Sequence, residues 1–138
     1  MTTAGRRLVV HVDGGARGNP GPAAIGIVVA EPDGTRVEDL AETIGVASNN
    51  VAEYRALLRG IERAVALGAD EVEFVNDSEL VAKQVNGVYK VKHPAMRPLH
   101  EQATAALAGL RDWSIRSVPR AQNADADALV NAALDGKG

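Results

Sequence analysis

Leu8-Val9-Val10-His11-Val12-Asp13, followed at once by Gly14-Gly15-Ala16-Arg17-Gly18-Asn19-Pro20-Gly21-Pro22, is the stretch on which the reading of the fold turns. The β-branched run predicts a buried strand over residues 8–12 that carries Asp13 to its end. The density of Gly and Pro over residues 14–22 predicts a turn or loop. A second strand is expected over residues 23–30, then a tight turn at Pro32-Asp33-Gly34 and a third strand over residues 35–45. Short connections of this kind join antiparallel neighbours, so the first third of the chain reads as a meander.

From Asn50 the apolar period changes to that of a helix. Val51, Tyr54, Leu58, Ile61 and Val65 form one stripe, Leu57 and Ala64 widen it, and Gly68 stops it. A strand at 71–76, a short helix at 78–85, a loop at 87–98, a helix at 99–110, a strand at 113–118 and a last helix at 124–134 follow. The order βββαβααβα implies an α/β protein with one five-stranded mixed sheet and helices on both faces.

The chain has 138 residues, enough for one domain, with 46% hydrophobic residues but only 3% aromatic ones. Its core must therefore come from Val, Leu, Ile and Ala. There is no cysteine, which excludes disulfides and thiolate metal sites. The first seven residues lack the apolar segment of a signal peptide, and no apolar run nears the roughly 20 residues of a membrane span. A cytoplasmic monomer is the expectation. The net charge of −3 runs against a non-specific nucleic-acid binder, whose surface is usually basic. The distribution is uneven, however: between Glu79 and Glu101 there is no acid, while Lys83, Lys90, Lys92 and Arg97 all fall there.

Four places offer carboxylates at the ends of apolar elements. Asp13 ends the first strand and Asp77 follows the fourth. If those strands are parallel neighbours, both acids lie at the sheet edge where open α/β sheets bind ligands. Turn chemistry accounts for Asp13 equally well, and helix capping for Asp77. Glu53 fits a capping box that starts at Asn50, yet also lies on the first turn of a buried helix. In the last helix Asp125 and Asp127 flank the apolar stripe almost symmetrically, and periodicity does not choose between them. Together such groups are hard oxygen donors suited to Mg²⁺. Two such ions about 4 Å apart can activate water and stabilise a leaving oxygen in phosphodiester hydrolysis.

Asp13-Gly14-Gly15-Ala16-Arg17-Gly18-Asn19-Pro20-Gly21-Pro22-Ala23, Ser48-Asn49-Asn50-Val51-Ala52-Glu53-Tyr54, Asn76-Asp77-Ser78 and Asn123-Ala124-Asp125-Ala126-Asp127-Ala128-Leu129 closely resemble, in order, the type 1 ribonuclease H family. The resemblance implies an endonuclease that cuts the RNA strand of RNA–DNA hybrids, leaving 5′-phosphate and 3′-hydroxyl ends. It implies two Mg²⁺ ions, with Mn²⁺ a possible substitute, held by Asp13, Glu53, Asp77 and Asp127, and it alone selects Asp127 over Asp125. Asn19, Asn49 and Asn50 match positions that contact the hybrid near its minor groove, where 2′-hydroxyls distinguish RNA from DNA. Ser78 and Asn123, from the same motifs, are expected at the substrate as well.

Two features depart from many members of that family. The basic, Trp-rich protrusion is replaced by Asn86-Gly87-Val88-Tyr89-Lys90-Val91-Lys92-His93-Pro94, so Lys90 and Lys92 are expected to meet the DNA-strand backbone, with Tyr89 packing nearby. The loop before the last helix has Arg120 where relatives carry His. Arg120 stays protonated and cannot act as a base, but it can stabilise phosphate charge. A dinucleotide-binding fold is excluded by the glycine spacing and by Pro20 and Pro22. The competing readings are another nuclease or strand-transfer enzyme on the same fold, and a hybrid-binding module without catalysis.

Overall fold

The computed structural model describes residues 5–136; residues 1–4 and 137–138, including most of the polar N-terminal stretch discussed above, lie outside the described residues. Strands β1 (Arg6–Ala16), β2 (Gly21–Ala30) and β3 (Arg36–Ala47) form the meander. Helix α1 (Asn49–Ala66), strand β4 (Ala69–Asn76), helices α2 (Glu79–Val85) and α3 (Arg97–Leu107), strand β5 (Asp112–Ser117), a 3-10 turn (Arg120–Asn123) and helix α4 (Ala124–Leu134) follow. The sheet order is β3-β2-β1-β4-β5. β1 is antiparallel to β2 and parallel to β4, and β4 is parallel to β5. The carboxyl ends of β1 and β4 therefore share one edge.

The first strand is longer than its composition suggests. Gly14, Gly15 and Ala16 continue the ladder against Ile25, Ala24 and Ala23 instead of leaving it. Glycine here serves close approach: a Cβ on Gly14 would run into the Ala52 carbonyl of α1. The bare Gly14 thus admits α1 to the end of the strand, while Gly15 faces Val130 of α4 at ordinary contact distance.

Helix α1 lies over β1 and buries Ala52, Tyr54, Ala56, Leu57, Ile61 and Ala64 against Leu8, Val10, Val12, Ile27 and Phe74. Val65, placed on the buried stripe from spacing, is exposed, because small residues at 56, 60 and 64 mark the true contact line. A Cβ on Gly60 would come within 2.7 Å of Val12 Cγ1, which measures how closely that line is packed. The helix begins at a Ser48 cap, whose hydroxyl accepts from the Val51 N–H, and not at Asn50. Helix α3 packs on α1, and α2 beside β5.

The opposite face is covered by α4 alone, through a small cluster of Ala24, Val130 and Ala133. Gly26 sits directly beneath it: a Cβ there would strike the Ala126 carbonyl and approach Leu129 Cβ at 2.9 Å. Gly26→Ala must therefore displace α4 and is expected to destabilise by about 1–3 kcal/mol, as overpacking does. Urea denaturation of the variant beside the wild type measures that shift.

Candidate active site

The shared sheet edge carries the acids on four separate elements. Asp13 projects from β1, Glu53 from the second turn of α1, Asp77 from the residue after β4, and Asp127 from the first turn of α4. All four line one cleft of about 370 Å³, with Asn49, Asn50, Ser78 and Arg120 around its mouth. Asp13, Glu53 and Asp77 each bring an oxygen within 4.8 Å of the others. Asp127 lines the same cleft, and its charge acts on the Asp13 carboxyl.

Glu53 makes no capping box. Its carboxylate accepts from the Gly14 N–H at 2.6 Å, so α1 is tied to the β1 residue next to Asp13. Asp77 is not a cap either, because Ser78 fills that place by accepting from the Val81 N–H. Asp125 points away from the cleft and pairs with Arg36 at 2.8 Å on the exposed side of α4. Arg120 stretches over the opening, its Nε 3.9 Å from Asp77 and 3.8 Å from Asp127.

Burial dominates the electrostatics. It pushes the Asp13 carboxyl up to about 8, with help from the charges of Asp77 and Asp127. Burial and then the charges of Asp13 and Asp77 hold Glu53 well above the usual carboxylate range, against the opposing effect of the Gly14 N–H. A group of oxygen donors held this close, short of counter-charge, fits one or more divalent cations better than any anionic or apolar ligand.

Residues 11–133 of the chain match the family model described as Reverse transcriptase-like. Ribonuclease HI of Halobacterium salinarum is 47% identical over 131 residues, which cover 95% of this chain and 66% of that protein. This chain belongs to the type 1 ribonuclease H family. Among solved structures, RNase H1 from the same archaeon superimposes with a TM-score of 0.92 at 47% identity, covering 94% of this chain and 98% of that one. The N-terminal RNase H domain of a Mycobacterium tuberculosis protein gives 0.92 at 46% identity, covering 96% of each chain. LC11-RNase H1, solved in complex with an RNA/DNA hybrid, gives 0.89 at 40% identity, covering 94% of this chain and 97% of that one. This ribonuclease H sequence spans 66% of the curated halobacterial protein and 36% of the mycobacterial one.

The other expected substrate residues divide. Asn19, Asn49 and Asn50 are exposed near the cleft. Asn19 Oδ1 accepts from the Asn49 N–H at 3.0 Å and Asn49 Oδ1 from the Ala16 N–H at 2.8 Å, so their carbonyls brace loop against helix. Lys90 and Lys92 lie exposed on the segment between α2 and α3. Tyr89 packs against Lys83, whose Nζ stands 5.1 Å from the ring centre.

Asn123 departs from expectation. It is 1% exposed, and both ends of its amide are engaged inside the protein, so it cannot face a substrate. Sequence reasoning also missed Gln84. This buried amide accepts from Tyr54 Oη at 2.6 Å and reaches the Lys90 carbonyl at 3.5 Å, linking α1 to the basic segment. A polar residue inside the apolar pattern of α2 was the available signal.

The raised carboxyls make a prediction. In the unfolded chain Asp and Glu ionise near about 4. Between there and about 8 the folded state binds more protons than the unfolded one, so stability falls as pH rises through that window. Thermal melts in chelator should show a falling melting temperature from pH 4 to 8. Mg²⁺ should recover most of the loss at the upper end.

Proposed function

We propose that this domain hydrolyses the RNA strand of RNA–DNA hybrids at the carboxylate cleft, leaving 5′-phosphate and 3′-hydroxyl ends. The observation that carries the reading is the convergence of four carboxylates from four elements on one cleft, beside exposed amides and the exposed Arg120 guanidinium. The relative solved with an RNA/DNA hybrid supports the choice of substrate. The domain is read as a monomer that acts in the cytoplasm.

Asp13, Glu53, Asp77 and Asp127 would hold two Mg²⁺ ions, or Mn²⁺ in their place. Bound there, the ions would supply a water acidic enough to attack at neutral pH and charge to stabilise the leaving oxygen. Asp13, which lies beside Glu53 and Asp77, would be the central oxygen donor of the set. Arg120 cannot accept a proton, but its guanidinium lies where a phosphate would enter and can hold it in line. Asn19, Asn49 and Asn50 offer short donors and acceptors to the minor groove, where the 2′-hydroxyl is exposed. Ser78, whose oxygen caps α2, keeps its own O–H to donate. Lys90 and Lys92 would neutralise phosphates of the DNA strand.

The direct test incubates the protein with labelled hybrid, single-stranded RNA and double-stranded DNA, each with Mg²⁺ or chelator. Cleavage should be confined to the RNA strand of the hybrid and should need the metal. Intact hybrid under both Mg²⁺ and Mn²⁺, with binding retained, would reduce the protein to a binding module. Asp77→Asn should abolish cleavage while hybrid binding survives. Replacing both Lys90 and Lys92 by Ala should lower the slope of log affinity against log salt by about 2, since each phosphate contact contributes roughly 0.9. An unchanged slope removes these lysines from the interface.

A further inference from the structure

The side chain of Asn123 joins the two halves of the cleft. It is the last residue of the 3-10 turn that begins with Arg120, and it immediately precedes α4, which carries Asp127. Its Nδ2 donates to the Val12 carbonyl at 2.9 Å, and Val12 is the residue before Asp13. The ladder between β1 and β4 ends at the pair His11 and Val75, and just past that point β1 is bridged to the turn by Asn123. On the other side Asn123 Oδ1 lies 3.1 Å from His11 Nδ1. With the NH₂ group committed to Val12, the oxygen facing His11 must accept, so His11 carries its proton on Nδ1. That bond fixes the way round in which the amide sits.

Three further observations give this bridge its importance. Helix α4 has no side-chain cap of its own. Its apolar seat is small, Ala24, Val130 and Ala133 with Ala41 and Leu134 packed against them, so packing contributes less to its register than on the α1 side. The outer side of the bridge opens on a separate cavity of about 540 Å³, bordered by Val9, His11, Arg116, Gln122 and Asn123, where the exposed Arg36–Asp125 pair is a second polar tie to the start of α4. The bridge is therefore the buried polar tie between Asp13 on one side and Arg120 and Asp127 on the other, whereas the Arg36–Asp125 pair is exposed.

We propose that Asn123, oriented by His11, is a positioning residue that sets the separation of Asp13 from Asp127 and Arg120. This rests on the nuclease reading for its kinetic consequences but not for its effect on cation binding. Loss of a group that orients ligands typically costs about 10–100-fold in metal affinity or activity.

The test compares wild type with Asn123→Ala, His11→Phe and His11→Gln. The cavity beside His11 leaves room for the Phe ring, which lacks the donor, whereas Gln retains one. Two quantities are read: kcat and KM on hybrid, and the Mg²⁺ concentration at the midpoint of the metal-induced rise in Tm. Asn123→Ala should lower kcat by about 10–100-fold with KM within about twofold, and raise the Mg²⁺ midpoint by about tenfold. His11→Phe should shift both in the same direction by a smaller factor, and His11→Gln should restore them towards wild type.

Cooperatively melting variants with kcat and Mg²⁺ midpoint within twofold of wild type would overturn the proposal. A rise in KM alone would do so too, returning Asn123 to the substrate interface. If Asn123→Ala does not fold, His11→Phe and His11→Gln decide. If the wild type fails to cleave hybrid, the nuclease reading falls and the Mg²⁺ midpoints still decide the role of Asn123.

Discussion

Asp13 and Glu53 are buried carboxylates that face each other and a third acid, and the rest of the structure has to hold them there. Left free, such groups would separate or turn to water, since a charge in a poorly hydrated site beside a like charge is strongly disfavoured. Rigidity prevents this. β1 lies in the middle of the sheet with a paired strand on each side. Glu53 is fixed by the Gly14 N–H, and Gly14 is also the residue whose missing Cβ lets α1 come close enough for that bond. A single glycine thus supplies both the space and the donor. Strain held in this way is relieved by protons or by cations, which links the acid–base behaviour of the site to its affinity for metal.

The two faces of the sheet share this task unequally. On the α1 side Leu8, Val10, Val12, Tyr54, Leu57, Ile61 and Phe74 form a continuous core, so Asp13 and Glu53 have little freedom to move. On the α4 side the contact is made by small residues, and polar bonds take over from packing. The result is a site with a fixed half, Asp13, Glu53 and Asp77, and a half whose placement depends on directional bonds, Arg120 and Asp127. Hydrogen bonds between buried groups suit that purpose because they are satisfied at one geometry only, whereas alanine-sized contacts tolerate several.

These differences explain what was legible in the sequence. Alternating and helical periods reported the element order and the mixed sheet, because burial against the sheet is a local property of each segment. Boundaries failed where tertiary contact overrode local preference: Gly14 and Gly15 read as loop but continue β1, since the need there was for close approach by helices far away in the chain. The carboxylates were visible as acids at element ends, yet only resemblance chose Asp127, and the structure shows why spacing was mute. Asp125 and Asp127 share a helical turn, and what separates them is Arg36 on β3 against Arg120 before α4. Asn123 was misread for the same reason. Its partners, His11 and Val12, lie over a hundred residues earlier.

Charge raises the remaining question of how an acidic domain approaches a polyanion. The net charge of −3 counts every carboxylate as ionised, whereas burial disfavours the charged forms of Asp13 and Glu53 and so reduces the negative charge at the cleft. Two divalent cations bound there would offset the charge of the four carboxylates. Away from the cleft the exposed surface between α2 and α3 carries Lys90, Lys92 and Arg97 with no acid between Glu79 and Glu101. That segment is held by Gln84, whose amide connects Tyr54 of α1 with the Lys90 carbonyl. Tyr54 follows Glu53 directly in the chain. The same helix therefore carries one acid of the cleft and, through Tyr54 and Gln84, meets the start of the basic surface. In the reading proposed above, a short segment tethered in this way would meet the substrate with its two lysines already ordered, which lowers the entropy lost on binding.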